Sequence, residues 1–228
     1  MVCLGKLDKD GNISYAPAVY RSEHNTIHNF NKDYQLMIDM GYKPVVEDSN
    51  DIAGYRTIKY IEEINDTIYI RYKIDNSEQV IKQIQTEKIA QTKINLANFL
   101  NAHPLASTAK GGVELLYSVS FDKQNQLTSV ISDYISKALP YMILNPIQDG
   151  QDVMEYMDSL DIPLLWNSRG ETCEEWKYSE LYQLKNEIMA YVVPIVEHQR
   201  KLEKQIMDCT TQEELKLIDI SFTEELIK

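Results

Sequence analysis

The chain has 228 residues, 43% hydrophobic and 25% charged, which is enough apolar material to bury a core in one large or two small domains. Its formal net charge is −12 and no Lys/Arg run interrupts the acidic balance, which argues against a nucleic-acid backbone as partner. No stretch reaches the ~18 consecutive apolar residues of a membrane span, and the opening MVCLGKLDKDG lacks the apolar core and cleavage site of a signal peptide, so the chain is expected to be made in a cytoplasm and to stay soluble.

In chain order, Asp10-Gly11-Asn12 marks a turn, and Ile13–Tyr20 reads as a short strand despite Pro17. Asn31 is the expected N-cap of a short helix with Tyr34, Met37 and Ile38 on one face; Gly41 supplies a left-handed stop and Pro44 prevents continuation. Tyr55–Glu62 and Thr67–Asp75, separated by Glu63-Ile64-Asn65-Asp66, predict a β-hairpin. In its second arm Ile68, Ile70, Tyr72 and Ile74 alternate with Tyr69, Arg71 and Lys73, a period of two. From Ser77 the period changes: Val80, Ile81, Ile84, Ile89, Leu96, Phe99 and Leu100 predict one helix to Ala102, stopped by Pro104. At 1.5 Å per residue it is about 37 Å long, and its mostly polar surface suits a connector or one strand of a coiled coil.

Gly111-Gly112 turns the chain into an expected strand, Val113–Phe121. Asp122 is the expected cap of a helix from Lys123 to Leu139 with Leu127, Val130, Ile131, Tyr134 and Ile135 inward; Leu144–Gly150 reads as loop and Val153–Leu160 as a short helix. Pro163–Asn167 and Glu171–Trp176 flank Ser168-Arg169-Gly170 as a second hairpin with Trp166 and Trp176 on its arms. Ser179 is the expected cap of a long helix carrying Leu181, Leu184, Ile188, Tyr191, Ile195, Leu202, Ile206 and Cys209, with Pro194 expected to kink it. Thr211-Gln212-Glu213-Glu214 has the pattern of a capping box for a last helix, with Leu215, Ile218 and Phe222 inward.

The fold class expected is therefore α+β: a small N-terminal module with a β-hairpin (1–76), a long connector helix (77–103), and a mainly helical C-terminal domain with a β-hairpin (104–228). Cys3, Cys173 and Cys209 are odd in number and scattered, which fits reduced, partly buried thiols rather than a disulfide framework. Fifteen Tyr against four Phe suits subunit contacts, or reflects an AT-rich genome.

The run WNSRGETCEEW, then Leu181, Leu184, Ile188 and Tyr191, then VEHQRKLEKQI and CTTQEELKLI, resembles a domain of unknown function found near the C-termini of bacteriophage tail-fibre and related tail proteins. The likeness covers about 162–220; DKQNQLTSVISDY resembles the helix that precedes the hairpin there, and the segment 136–161 stands as an insertion. That resemblance implies a structural virion component made in the cytoplasm of a bacterial host, with other tail proteins and further copies of itself as partners. No active site is accepted for that family, so it implies no catalytic residue and no cofactor. A tail-fibre assembly chaperone is the alternative, and a host-glycan-binding or glycan-cleaving tail protein a further one.

The residues agree with a non-enzymatic reading. His24 and His28 lack the further ligands a metal site needs. His198 and Cys173 lack a nucleophile–base arrangement. The paired carboxylates Glu62-Glu63, Glu174-Glu175, Glu213-Glu214 and Glu224-Glu225 fit solvated faces. Trp166, Trp176, Tyr191, Ile195 and Leu202 are the candidate contact surface. For the two Trp, core packing and an aromatic carbohydrate platform are the competing roles, with a host glycan as the partner implied by the second.

Overall fold

A computed structural model describes residues 3–50, 52–167 and 172–227. It is mixed α+β, with β-hairpins in the N-terminal part and a mainly helical C-terminal region. The chain divides into two compact units, residues 1–84 with 210–214, and residues 85–209 with 215–228.

The first unit carries strands β1 (Cys3–Leu7), β2 (Ile13–Tyr15), β3 (Val19–Arg21) and β4 (Thr26–His28), helix α1 (Tyr34–Asp39), and strands β5 (Lys43–Glu47), β6 (Thr57–Ile64) and β7 (Thr67–Ile74). Pro17 splits the strand expected over 13–20 into β2 and β3, because it has no N–H to give a ladder. The main sheet has the order β2-β1-β5-β7-β6, with β5 and β7 parallel and the other neighbours antiparallel. Strand β7 takes the inner place because it offers Ile68 and Ile70, both essentially fully buried, while β6 bears Lys59, Glu62 and Glu63 at the edge. The β6–β7 turn is two residues, Asn65-Asp66, both with positive φ, rather than the four expected; both residue types tolerate that conformation.

Helix α1 starts later than expected: Asp33, not Asn31, caps it, accepting from the Leu36 N–H at 3.0 Å. Its end is a Schellman stop, with the Tyr42 N–H bonded to the Met37 carbonyl, the Gly41 N–H to Ile38, and Gly41 at φ 78°. Met37 faces a small core with Leu4, Phe30 and Tyr42, whereas Tyr34, expected beside it, is exposed. Gly5 is required by close approach: a Cβ there would lie 2.7 Å from Ile13 Cγ2. Residues 210–214 belong to this unit through Gln212, a buried side chain bonded to the backbone where β6 begins and β7 ends.

Helix α2 (Glu78–Ala102) is one unbroken element of 25 residues, and the division between units falls after Ile84. The second unit continues with β8 (Leu105–Ser107), β9 (Leu115–Tyr117), α3 (Phe121–Leu144), α4 (Val153–Asp158), β10 (Leu165–Trp166), β11 (Glu174–Glu175), α5 (Tyr178–Asp208) and α6 (Gln212–Leu217), of which 212–214 count with the first unit. Helices α3 and α4 pack on α5, burying Leu127, Ile131, Tyr134 and Ala138 against Leu181, Leu184 and Ile188.

Several expectations change here. Strand β9 is three residues long, not nine, and pairs with β8, a strand with no strong local signal. Ser120 rather than Asp122 caps α3, and the helix runs through Pro140 to Leu144 instead of ending at Leu139. Proline removes only its own N–H bond, to the carbonyl four residues back, so a helix packed by its other residues continues past it. Pro194 likewise lies inside the 31-residue α5. Lys177 occupies the cap position of α5, with its N–H bonded to Glu180; Ser179 instead gives both its N–H and its hydroxyl to Asp158. At the far end, Gln85 Nε2 lies 3.0–3.2 Å from the carbonyls of Ile206, Met207 and Cys209, which the helix itself leaves unpaired. The Thr211 hydroxyl accepts from the Glu214 N–H while Glu214 accepts from Thr210 and Thr211, the capping box expected for α6.

Candidate functional site

The chemistry-bearing residues of the second unit gather between its two small hairpins. Strands β8 and β9 are joined by a loop containing Gly111 and Gly112, both at positive φ. The Gly111 N–H bonds to a Glu180 oxygen at 3.0 Å, and that carboxylate also receives the Lys177 N–H, so one side chain ties this loop to the first turn of α5. Strands β10 and β11 pair Leu165 with Glu175 and Trp166 with Glu174. The turn expected at Ser168-Arg169-Gly170, and Glu171, lie outside the described residues. Lys123 Nζ fastens the end of β10 by reaching the carbonyl and side-chain oxygens of Asn167 at 3.1 and 2.8 Å.

Trp166 and Trp176 meet edge to face with ring centroids 5.7 Å apart, and Tyr117 stands 5.9 Å from Trp176. Lys110 Nζ lies 4.6 Å from the centre of the Trp176 ring and forms an ion pair with Glu174. Between the hairpins is a cavity of about 410 Å³ bordered by Leu115, Tyr117, Trp166, Trp176 and Glu174. The Trp176 indole donates to the Trp166 carbonyl at 3.2 Å. The Trp166 indole nitrogen and the Tyr117 hydroxyl are buried and have no hydrogen-bond partner among the described residues. Each such unmade bond costs about 1–3 kcal/mol. Burial first, then the carboxylates of Glu174, Glu180 and Glu187, push the Tyr117 phenol above its ordinary value, so it is a neutral donor at physiological pH.

This arrangement corrects the candidate contact surface. Trp166 is 2% exposed, Trp176 6%, Ile195 0% and Leu202 5%, so all four are core side chains rather than exposed contacts. Tyr191 is half-buried and spends its hydroxyl on the His103 carbonyl at 3.1 Å. With both indoles buried, an exposed aromatic platform is excluded for them. What they offer is one wall of a cavity. Tyr117 and Lys110 were not singled out in the sequence, and Glu174 was read there only as half of a solvated carboxylate pair; the signal that marks the first two is the Gly111-Gly112 turn, which brings Lys110 to Glu174 and Tyr117 to Trp176.

The remaining candidates stay apart. His24 lies in the turn between β3 and β4 and His28 ends β4. No three His, Cys, Asp or Glu side chains gather in a metal-binding group among the described residues. His198 meets the Phe222 ring edge to face at 5.4 Å. All three cysteines are free, and Cys3, the first residue of β1, and Cys173, just before β11, are exposed rather than partly buried. No described helix is long and apolar enough to cross a membrane.

The outer end of α3 has a different character. Ile135, expected inward, is 37% exposed; Leu139 and Ile143 follow at four-residue intervals, 50% and 76% exposed, and Leu144 is 78% exposed. Residues four apart share one helix face, so these form a continuous apolar stripe. Comparison with known protein families, with curated proteins and with solved structures finds no match for this chain.

Proposed function

We propose that the chain is a structural component of a bacteriophage virion, in the tail, baseplate or fibre, acting without catalysis through contacts with other tail proteins and with copies of itself. The observation that carries the contact role is the apolar stripe Ile135, Leu139, Ile143 and Leu144, left uncovered at the end of a long helix. A soluble chain that functions alone rarely leaves such a run in water, and a stripe of this kind marks a contact surface. The virion assignment is supported by the order of elements in residues 162–220: Trp-bearing hairpin, long helix, then a helix opened by a capping box, the order on which the tail-protein resemblance rests. The acidic balance, −12 overall, disfavours nucleic acid as the partner and favours solubility before assembly.

Two measurements test the proposal. Sedimentation of the purified chain is expected to show a concentration-dependent oligomer that Leu139→Asp with Ile143→Asp dissociates without loss of helical signal. Mass spectrometry of purified virions is expected to find the chain at stoichiometric level. A chain required for assembly but absent from virions is an assembly chaperone; one that is monomeric and absent from virions overturns the proposal.

A further inference from the structure

We infer that the first unit takes an extended segment of another polypeptide as an added strand in the groove between β2 and β6. The segment that fits carries an apolar residue followed two positions later by an acidic one. Strands β2 and β6 are the two edges of the five-stranded sheet, yet Asn12, Ile13 and Tyr15 border the same groove as Lys59, Tyr60 and Ile61, a space of about 520 Å³. The ladder register puts Ile13, Tyr15, Lys59 and Ile61 on one face of the sheet with Ile68 and Ile70, which are buried. The sheet therefore curls around that face and stops one opening short of a closed barrel. The groove lies wholly within the first unit, and nothing about it depends on the virion reading.

The backbone of both edges is directed at this space. In an antiparallel pair, successive residues send their N–H and C=O groups alternately toward the partner strand and away from it. The Asp75 N–H bonds to the carbonyl of Arg56, the residue opposite, so Ile58 and Tyr60 point at β7 while Lys59 and Ile61 point away. At the other edge the Ala16 N–H bonds to Leu4 and the Asp8 N–H to Asn12, so Ser14 points at β1 while Ile13 and Tyr15 point away. These four residues border the groove, and all are exposed or half-buried. Their outward backbone groups have no hydrogen-bond partner among the described residues.

Donors and acceptors that recur every second residue, about 6.8 Å apart, are answered by another extended chain. Strand β6 is the longer edge, eight residues against three, and antiparallel pairing is the more stable, so the added strand runs antiparallel to β6. It then meets Ile61 before Lys59. A side chain opposite Ile61 turns to the same face, next to Ile13, and is apolar. Lys59 is the charged residue on the groove and makes no ion pair among the described residues, so the side chain opposite it is acidic. A nucleic acid would find a single cation here. A second copy carries the pattern in Ile61 and Glu63 of its own β6, but that strand arrives with β7 attached, and a groove walled on both sides admits one strand.

The test follows hydrogen exchange at single backbone amides of the full chain labelled with nitrogen-15. The probe is the capped peptide Thr-Thr-Thr-Ile-Thr-Glu-Thr-Thr-Thr, taken into the millimolar range. The Lys59 and Ile61 amides are expected to exchange at least tenfold more slowly at saturation. Those of Ile58 and Tyr60, already bonded to β7, should change less than twofold. The peptide with Lys in place of Glu is expected to bind about fivefold more weakly, the scale of one cross-strand charge pair. Lys59→Glu, at an exposed position, is expected to reverse that order. The first peptide methylated on the Ile and Glu amide nitrogens, with side chains unchanged, is expected not to bind. No slowing at Lys59 and Ile61, equal binding of the methylated peptide, or a charge preference that survives Lys59→Glu overturns the proposal. Slowing at the same amides without peptide, growing with protein concentration, makes a second copy the occupant and overturns it as well.

Discussion

Replacing Gln212 with alanine tests how a segment distant in sequence is held in the first unit. The Gln212 side chain is 5% exposed. Its oxygen accepts the Arg56 N–H at 2.9 Å, and its amide donates to the carbonyls of Arg56 at 2.9 Å and Asp75 at 2.7 Å. Its own backbone N–H goes to Asn76 Oδ1 at 2.9 Å and survives the substitution. Three buried bonds at about 1 kcal/mol net each set an upper figure near 3 kcal/mol. The Arg56 carbonyl keeps a second bond, from the Asp75 N–H at 2.9 Å, which lowers the loss. A destabilisation of about 2–3 kcal/mol is therefore expected. Urea unfolding followed by circular dichroism reads the total, and amide exchange reads its location, with the Arg56 and Asp75 amides exchanging faster while α5 is unchanged. Gln212→Glu, the same shape without a donor, should cost at least as much, because a carboxylate would face two carbonyls. A loss below about 0.5 kcal/mol with unchanged exchange at Arg56 would refute this account, since that is the scale of an ordinary surface change.

Other expectations follow from single sites. Gly41→Ala should cost about 1–2 kcal/mol in the same unfolding assay, all of it from the left-handed backbone, since the new methyl group meets only Lys6 Cε at 3.7 Å. Leu184→Ala, at a position with 0% exposure, should lose about 2–5 kcal/mol, while Leu217→Ala, 85% exposed, should stay within about 0.5 kcal/mol; equal losses would contradict the burial pattern. The backbone N–H groups of Thr210 and Thr211 hold the Glu214 carboxyl below its ordinary range, so its contribution is present at neutral pH and disappears as the pH falls through that lowered value. Melting curves of the parent chain and Glu214→Ala should accordingly differ at neutral pH and converge as the pH falls below the ordinary carboxylate range; a gap independent of pH would show that the cap does not depend on the charge.

About the candidate site, the sequence was informative on residue type and poor on exposure. Trp166 and Trp176 stood out by their hairpin arms, and both line the cavity, yet their burial depends on elements distant in sequence: α3 against β10, and Tyr117 with Lys110 against the Trp176 ring. Strand β8 could not be read locally, because three residues after Pro104 carry no usable periodicity. Lys110 and Glu174 are ordinary surface residues in the sequence; only the fold places them against one aromatic ring.

What the sequence determined by itself is whatever depends on neighbours a few residues away. The β6–β7 hairpin follows from a period of two flanking Asn65-Asp66, the stop of α1 from Gly41, the opening of α6 from Thr211 and Glu214, and the extent of α2 from Pro104 and a helical stripe. Each of these is a short-range choice made by φ preference, side-chain capping or repeat period. Tertiary structure decided what depends on partners far along the chain. It set β5 and β7 parallel, carried α3 and α5 past their prolines, turned Ile135 outward, and buried Ile195 and Leu202. A helical stripe states which residues share a face, but only packing against a second element decides whether that face is covered. Trp166 and Trp176 are therefore core walls of a cavity, while Leu139 and Ile143 are the apolar side chains left in water.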